Sequence, residues 1–341
     1  MRGGKETAAD TPSPSPAPHT TPRSHTEQAH LDRSQFTYSV VVPVFNSAAV
    51  VGGTVDGIVR TFESAGLSYE IVLVNDGSRD GSWQVIADKA RANDRVVALN
   101  LLRNYGQHHA NLAGLREATG DYVITMDDDG QNPPEEALVL IDEAMRGRDV
   151  VFGKFERKQH AGYRQLGSKV ISMINRRVFA QPPDLTVSNF RILRRDVVDR
   201  ICSSRSAYPY MTGQALMYSH NRSHVTVQHR AREVGGSSYN LVRIARLVLT
   251  ILFSYSVFPL RLAALGGFLI AGLSFLIGVG YFVRALFVET DVQGWTSLVV
   301  LLSIFNGVTI ALLSMLGEYV VRTLNTVSTQ EHYHVLERVN G

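Results

Sequence analysis

Short apolar runs alternate with segments of helical periodicity between Tyr38 and Phe152, and this alternation restricts the fold more than any other feature. The runs are apolar on both faces, which is typical of parallel strands in a sheet that helices cover on both sides. The sequence therefore predicts an α/β domain. The predicted strands are Ser39–Pro43, Glu70–Val74, Val96–Leu102, Tyr122–Thr125 and Val150–Phe152, and the predicted helices are Val51–Phe62, His108–Ala118 and a segment that begins near Glu135.

An acidic cluster, Asp127, Asp128 and Asp129, follows the predicted strand that ends at Thr125, and Gln131 adds a neutral oxygen. Neighbouring carboxylates raise one another's pKa unless a cation lies among them. Oxygen ligands of this kind suit Mg²⁺ or Mn²⁺, which commonly bridge to substrate phosphates. The alternative is an acidic turn before a helix N-terminus, where carboxylates are stabilised without a metal. Ligands of such sheets bind beyond the carboxyl ends of the strands, so the cluster is a candidate site.

A basic segment follows the predicted strand at 150–152. Its cations are Lys154, Arg157, Lys158, Arg164 and Lys169. Arg164 and Ser168 are four residues apart in a predicted helix that ends near Phe179, so they share one helix face. The segment is either an anion-binding face or a solvated charged face. Further along the chain, alternating runs near 187–193 and 225–229 predict antiparallel strands.

Two long runs without charge, 262–283 and 292–317, occupy the C-terminal third of the chain. Each is long enough to cross a hydrocarbon core of about 30 Å, so two transmembrane helices are predicted. A buried helical hairpin is the alternative. Segment 241–260 is apolar apart from two arginines, which favours a helix in the membrane interface.

The charges that flank these runs predict their orientation. The connecting loop carries the acids Glu289 and Asp291, whereas basic residues precede the first run. By the positive-inside rule, the globular part and both termini are expected in the cytoplasm. Cys202 is the only cysteine, which excludes a disulfide within the chain. Residues 1–36 are rich in Pro, Ser, Thr and Ala, so they are predicted to be a disordered tail.

Together these features resemble the polyprenyl-phosphate glycosyltransferases of glycosyltransferase family 2, which include dolichyl-phosphate mannose synthase and bacterial undecaprenyl-phosphate sugar transferases. The stretches that carry the resemblance are Val42–Asn46, Val74–Ser78, Arg103–Gln107, Met126–Glu135, Gly235–Tyr239 and Gly317–Tyr319. The resemblance implies a GT-A (Rossmann-like) fold, a UDP- or GDP-linked nucleotide sugar as donor and a polyprenyl phosphate as acceptor. Direct displacement at the anomeric carbon would invert its configuration. No nucleic-acid partner is expected, and a homo-oligomer is compatible with the sequence.

The resemblance also implies a domain organisation. The expected parts are a disordered tail (1–36), a GT-A glycosyltransferase domain (37–236), juxtamembrane amphipathic helices (237–260), two transmembrane helices (261–286 and 292–321) and a cytoplasmic tail (322–341).

Site residues follow from the positions that match the family pattern. The resemblance implies that Pro43, Phe45 and Asp76 line the nucleotide base pocket and that Asp127 and Asp129 face the donor diphosphate. It implies Asp129 and Gln131 as ligands of Mg²⁺ or Mn²⁺, and Lys154, Arg164 and Ser168 as ligands of the lipid phosphate. Arg232 lies where a catalytic arginine is expected.

The chain also departs from that pattern at several positions. Ser47 replaces a common acid, and Asp128 and Gly130 replace the usual Ala and Leu of the acidic motif. Ser238 replaces a common Lys, and Tyr210–Gly213 lacks an arginine that often precedes the glycine. The two missing cations suggest a less anionic or differently shaped sugar.

Two alternative functions stay open. A family 2 transferase that uses a hydroxyl lipid would need a carboxylate base, for which Asp128 is the conspicuous spare. A non-catalytic homologue could instead serve as a membrane scaffold. The intact Asp127, Asp129 and Gln131 favour a metal-dependent transferase over the scaffold.

Overall fold

The computed structural model describes residues 30–155, 172–204, 206, 208–228, 249–251 and 254–256, scattered positions within 262–287, and residues 294–327 and 333–341. The strands are β1 (Thr37–Val44), β2 (Ser68–Asn75), β3 (Val96–Leu101), β4 (Tyr122–Thr125), β5 (Val150–Phe155), β6 (Arg191–Arg194), β7 (Arg222–Val227) and β8 (Val335–Val339). The helices are α1 (Val51–Ser64), α2 (Ser82–Ala92), α3 (Gln107–Glu117), α4 (Glu136–Ala144), α5 (Arg195–Ser203), α6 (Met211–Tyr218) and α7 (Trp295–Val327). Residues 172–179 are also helical.

The eight strands form one sheet in the order β7-β5-β6-β4-β1-β2-β3-β8. Neighbouring strands are parallel in the pairs β1–β2, β2–β3, β1–β4 and β5–β7. Strand β6 runs antiparallel to β4 and β5, and β8 runs antiparallel to β3. The predicted parallel core and the antiparallel strand near 187–193 are confirmed. The antiparallel direction predicted near 225–229 is wrong, because β7 pairs with β5 in parallel.

Helices cover both faces of the sheet, as the doubly apolar strands predict. In β1, Val40 and Val42 pack with the side chains of α1, α2 and α4, whereas Val41 packs on the opposite face with α3, α5 and α6. All three valines are fully buried. Because successive side chains of a strand point to opposite faces, a strand between two helical layers must be apolar throughout.

The order of the strands creates a switch point between β1 and β4. The chain passes from β1 through β2 to β3 on one side, and α3 then returns it to β4 on the other side of β1. The loops that leave β1 and β4 therefore lie side by side at a topological switch point, where sheets of this kind commonly bind their ligands. The acidic cluster follows β4 at this position.

The described structure continues beyond the predicted domain limits at both ends. Residues 30–36 were expected in the disordered tail, but they are ordered, and Leu31 donates its backbone N–H to Met145 O at 2.8 Å. At the other end, the predicted tail 322–341 contributes the last turns of α7 and strand β8. Leu102 N donates to His334 O at 2.9 Å, which extends the β3–β8 pairing. The pairing covers the edge of β3 that would otherwise be open.

Helix α7 contains 33 residues. The predicted span at 262–283 lies mostly outside the described residues. In the described part of the chain, no helix is found that is both long and apolar enough to cross a membrane. The two spans are therefore not confirmed and stay predictions.

Candidate active site

A closed ring of hydrogen bonds joins the four loops that follow β1, β2, β3 and β4. These strand-end loops are residues 45–50, 76–81, 102–106 and 126–135. They meet at one edge because the four strands run in the same direction. Side-chain oxygens of the loops after β1, β2 and β4 accept from a neighbouring loop or from the start of α3.

Asp127 joins the loop after β4 to the start of α3. Gln107 Nε2 donates to Asp127 Oδ1 at 2.6 Å. Burial, together with the negative charges of Asp129 and Asp128, raises the pKa of Asp127 to about 6, while the charge of Arg191 opposes the rise. Asp127 is therefore largely ionised at neutral pH and is held in one orientation.

Asp128 joins the same loop to the loop after β1. Phe45 N donates to Asp128 Oδ2 at 3.0 Å, and the Ser47 hydroxyl donates to the same oxygen. Thr54 Oγ1 donates to the backbone carbonyl of Asp128 at 3.3 Å. Burial raises the pKa of Asp128, while the bonds from Ser47 and Phe45 oppose the rise. Asp128 thus joins the loops after β1 and β4 through these hydrogen bonds.

Asp129 turns back on its own loop. Gln131 N donates to Asp129 Oδ1 at 3.1 Å across Gly130, whose φ is +69°. Glycine adopts this left-handed conformation without strain, so the residue at 130 suits the tight turn. The turn brings the backbone of Gln131, the second predicted metal ligand, close to the carboxylate.

The three carboxylates of the acidic cluster accept hydrogen bonds from different partners, so they do not converge on one point where a metal ion could bind all three. Among the described residues, no group of three or more His, Cys, Asp and Glu side chains is close enough to hold a metal ion. Mg²⁺ and similar ions at phosphate sites are commonly held by one or two carboxylates, with phosphate oxygens and waters completing the shell. The donor set of Asp129 and Gln131 fits that kind of site and does not form an all-protein cage.

Asp76 joins the loop after β2 to the loop after β3. Its two carboxylate oxygens accept from Tyr105 N at 2.7 Å and from Gly106 N at 2.9 Å. Burial raises the pKa of Asp76, and the two backbone donors oppose the rise. Of the other residues expected near the base, Pro43 is buried inside β1, and Phe45 follows β1 with 47% of its surface exposed.

The loops after β1 and β2 complete the ring. Asn46 N donates to Ser78 Oγ at 3.0 Å, and Arg79 N donates to Asn46 Oδ1 at 2.9 Å. Ala48 N donates to Asp80 Oδ2 at 3.1 Å. Asn46 has a φ of +53°, which Asn tolerates better than most residues. The turn-rich composition of 75–82 predicted a loop here, but not which of its residues bind the neighbouring loop.

A buried cation lies behind the acidic cluster, and sequence reasoning missed it. Arg191 is fully buried in β6, where Nε donates to Thr125 Oγ1 at 3.2 Å and Nη1 donates to Thr212 Oγ1 at 2.9 Å. Burial lowers the pKa of Arg191 to about 10, so the side chain stays charged at neutral pH. In the sequence, Arg191 lies in the short alternating run near 187–193. A charged residue at a position of that run that should face the core was the feature that could have indicated a buried cation.

The residues expected to hold the lipid phosphate are only partly described. Lys154 is exposed near the carboxyl end of β5, at the same edge of the sheet as the acidic cluster. Arg164, Ser168 and Arg232 lie outside the described residues. Their assignment to the site stays a prediction.

Comparison with known proteins gives three findings. The model of the Glycosyl transferase family 2 matches residues 39–202. The chain is 31% identical over 306 residues to undecaprenyl-phosphate 4-deoxy-4-formamido-L-arabinose transferase of Aeromonas hydrophila, a match that covers 89% of this chain and 94% of the relative. It is 33% identical over 311 residues to the protein of the same name from Pectobacterium carotovorum, with coverage of 89% and 94%.

A solved structure has a similar fold. Glucosyl-3-phosphoglycerate synthase of Mycobacterium tuberculosis, in complex with phosphoglyceric acid, superposes with a TM-score of 0.50 at 19% identity. The superposition covers 64% of this chain and 80% of that one. At this identity the likeness concerns the fold alone, and it agrees with the glycosyltransferase-like α/β sheet described above.

Proposed function

Because the chain belongs to glycosyl transferase family 2 and, within it, to the polyprenyl-phosphate glycosyltransferases, we propose that it transfers a sugar from a nucleotide sugar to a polyprenyl phosphate. The observation that supports this most directly is the acidic loop at the switch point. Its carboxylates accept hydrogen bonds from the loop after β1 and from the start of α3, and Phe45 of the first of these has an exposed ring. A nucleoside can bind the loops after β1 and β2 while its diphosphate reaches Asp127 and Asp129.

The proposed chemistry needs no general base. An oxygen of the lipid phosphate is already anionic near neutral pH, because its second pKa is about 6. This oxygen attacks the anomeric carbon, and the bond from that carbon to the donor diphosphate breaks with its electrons on the leaving oxygen. Inversion at the anomeric carbon follows. The hydroxyl-lipid alternative is less well supported, because the carboxylate of Asp128 is bound to Ser47 and Phe45.

The proposal includes a divalent ion. Asp129 and Gln131 would hold Mg²⁺ or Mn²⁺, which when bound would stabilise the negative charge on the departing diphosphate. Asp127, whose carboxylate accepts from Gln107, would face the same diphosphate. Arg191 adds a fixed positive charge behind the strand end, where it favours the ionised form of Asp127.

We assign Lys154, Arg164 and Ser168 to the lipid phosphate and Arg232 to the leaving group. Lys154 supports this assignment by its position, since β5 ends at the edge where the acidic loop lies. Lysine and arginine both bind phosphate through charge-assisted hydrogen bonds, and arginine adds a forked geometry.

Membrane attachment is part of the same proposal. On α7, Leu298, Leu302, Ile310, Leu313, Leu316 and Val320 are each at least half exposed. So much exposed apolar surface is unfavourable in water and suits contact with lipid. Because β8 follows α7 and pairs with β3, the chain returns to the catalytic sheet after the helix. Any crossings between β7 and β8 must therefore be even in number, which agrees with a hairpin of spans at 261–286 and 292–321.

The topology has a direct test. A cysteine introduced by Glu289→Cys, with Cys202→Ser, should react with an impermeant maleimide in intact cells, because the loop between the spans is expected outside. Labelling that requires permeabilised cells would contradict the proposed orientation.

The activity can be tested with the purified full-length chain in detergent. We expect a labelled lipid to form from undecaprenyl phosphate and one member of a panel of radiolabelled UDP- and GDP-sugars that includes 4-deoxy-4-formamido-L-arabinose. Undecaprenol, which lacks the phosphate, is the matched control and should give no product. A product from undecaprenol or diacylglycerol, or none from any donor, would contradict the proposal.

A further inference from the structure

Asp128 and Ser47 meet at the mouth of the candidate site. The Ser47 hydroxyl and the backbone N–H of Phe45 both donate to Asp128 Oδ2, the latter at 3.0 Å. A single carboxylate oxygen thus holds two positions of the loop after β1. Neither residue has a role in the chemistry proposed above.

The segment that Asp128 holds carries an exposed aromatic ring. Phe45 lies between buried Val44 and Asn46, which has a φ of +53°. The next residue, Ser47, donates its backbone N–H to Ser82 Oγ at 2.8 Å. An exposed ring on a turn has a fixed direction only if its backbone is anchored on both sides. Here Asp128 supplies the anchor at Phe45 itself, and the other bonds hold the residues that follow.

We propose that Asp128 is a positioning residue that, with Ser47, holds Phe45 ready to stack on the base of the donor nucleotide. This rests on the proposed function. An aromatic ring that is already oriented binds a flat base with less loss of conformational freedom than a mobile one. Asp128 therefore acts on donor affinity through Phe45 and does not act as a base or as a metal ligand.

The pair also accounts for two departures from the family pattern. The chain has Ser47 where an acid is common and Asp128 where alanine is common. The hydrogen bond between Ser47 and Asp128 shows that one carboxylate lies between the loops after β1 and β4. Here the loop after β4 carries it. If the presence of the carboxylate matters more than the loop that carries it, the side chains of Ser47 and Asp128 can be exchanged without loss of nucleotide affinity.

The test is a double-mutant cycle on the full-length chain in detergent. Asp128→Ala, Ser47→Ala and the double variant are compared for binding of UDP or GDP, whichever the wild type binds more tightly, by calorimetry with saturating Mn²⁺. Asp128→Ala should weaken binding about tenfold, since it removes hydrogen bonds to a charged group. Ser47→Ala should add little to Asp128→Ala, because both changes remove the same interaction.

Two further variants separate positioning from general damage. Asp121→Ala removes another carboxylate that accepts from a backbone N–H, that of Thr37 at 2.8 Å, but at the opposite end of β4. It should lower the thermal midpoint and leave nucleotide affinity unchanged. The exchange variant Ser47→Asp/Asp128→Ser keeps one carboxylate and one hydroxyl between the two loops, and it should recover most of the affinity that Asp128→Ala loses.

Additive losses in the cycle would overturn the proposal, as would no recovery in the exchange variant. A loss of kcat in Asp128→Ala with unchanged nucleotide affinity would instead make Asp128 a participant in the chemistry. The proposed function fails separately, if the wild type binds neither UDP nor GDP. Ser47→Ala removes one hydroxyl only, so if Asp128→Ala folds poorly its own nucleotide affinity still tests the proposal: a loss supports it and unchanged affinity contradicts it.

Discussion

The two halves of the candidate site differ in how their residues are held. On the donor side, Asp76, Asp127 and Asp128 each accept hydrogen bonds from a neighbouring loop, at 2.6–3.0 Å where Gln107, Tyr105, Gly106 and Phe45 are the donors. On the side proposed for the acceptor, Lys154 is exposed near the carboxyl end of β5. The loops proposed to bind the donor are therefore held to one another by hydrogen bonds, whereas the charge of Lys154 is exposed to solvent.

This difference has consequences for binding. A ring of bonds that already holds the donor loops lowers the entropy that donor binding must overcome. The ring of bonds also couples the loops, so a substitution in one loop should change the stability and the ligand affinity of the others. A single exposed lysine has neither property, and its loss should affect only the ligand that it touches.

The largest effect is expected from the carboxylate assigned to the metal. Asp129→Asn keeps the shape and the turn to Gln131 but removes a charge that would face the ion and the diphosphate. Activity should fall more than about a hundredfold, as for the loss of other groups that stabilise transition-state charge. Steady-state transfer to undecaprenyl phosphate over a range of Mg²⁺ and Mn²⁺ measures it.

A matched control is Asp88→Asn on α2, where Asp88 is exposed and pairs with the exposed Arg91 at 2.8 Å. Exposed pairs of this kind contribute little, so its activity should stay at the wild-type level. Near-normal turnover of a folded Asp129→Asn enzyme at low metal concentration would remove Asp129 from the metal site.

A second prediction concerns the packing of the donor loops. Gly77 follows Asp76 with a φ of +64°, and a Cβ there would lie 2.5 Å from Asn104 N in the loop after β3. Gly77→Ala should lower the free energy of unfolding by about 3 kcal/mol, the sum of left-handed strain and overpacking. It should also weaken donor binding, because the backbone at 105–106 that Asp76 holds must move.

Gly66 provides the comparison for this variant. Its φ is +65°, but a Cβ there meets no atom within 4 Å. Gly66→Ala should therefore cost only about 1–2 kcal/mol, the strain alone, with unchanged donor binding. Equal losses of stability in the two variants would show that the loops after β2 and β3 are not tightly packed.

A third prediction addresses the acceptor half. Lys154→Met keeps most of the side-chain volume and removes the charge, so the KM for undecaprenyl phosphate should rise about tenfold. The KM for the donor should not change, because no donor loop contacts this residue in the described structure. Lys89→Met, which removes a surface lysine paired with Asp56 on α1, is the control and should be silent. Equal changes in the KM values for donor and acceptor would contradict the assignment of Lys154 to the acceptor alone.

The sheet could be predicted from the sequence because each of its inner strands is buried on both faces. Strand β4 was predicted with its observed limits, Tyr122–Thr125, since four buried residues lie between polar turns. Strand β8 was not predicted. Its residues Val335–Val339 are mostly exposed and include Glu337 and Arg338, so they carry no apolar pattern, and only the open edge of β3 explains their place.

The candidate site divides in the same way. Asp76, Asp127 and Asp129 could be predicted because they follow apolar strands in sequence. The contacts of Gln107 and Asp128 could not be predicted, since they join parts of the chain that are distant in sequence. Arg191 was missed for a further reason: its burial depends on Thr125 and Thr212, which β4 and α6 bring together from opposite sides.

The effect expected to be smallest at neutral pH concerns His108, which lies at the start of α3 next to the donor loops. His108, in the first turn of α3, packs edge-on against Tyr208 and Tyr210 with ring centroids 5.5 Å apart. Burial, with the nearby charge of Arg191, lowers the pKa of His108 to about 3. In the unfolded chain, histidine has a pKa of about 6.5. Stability from the neutral ring is thus fully present above about pH 6.5 and is lost as the pH falls from there toward about 3, because only the unfolded chain takes up the proton.

His108→Phe keeps an aromatic ring at this position and removes the titration. Below about pH 6.5, the wild type should lose up to about 1.4 kcal/mol per pH unit more than the variant, which is the value for one proton. Thermal midpoints of both proteins in detergent, measured from about pH 7.5 down to about pH 4.5, give the comparison. Above about pH 7 the two curves should run parallel, since histidine is neutral in both states there. Parallel curves over the whole range would mean that His108 takes up a proton in the folded protein as readily as in the unfolded chain. The ring would then be in contact with water and not buried behind the donor loops.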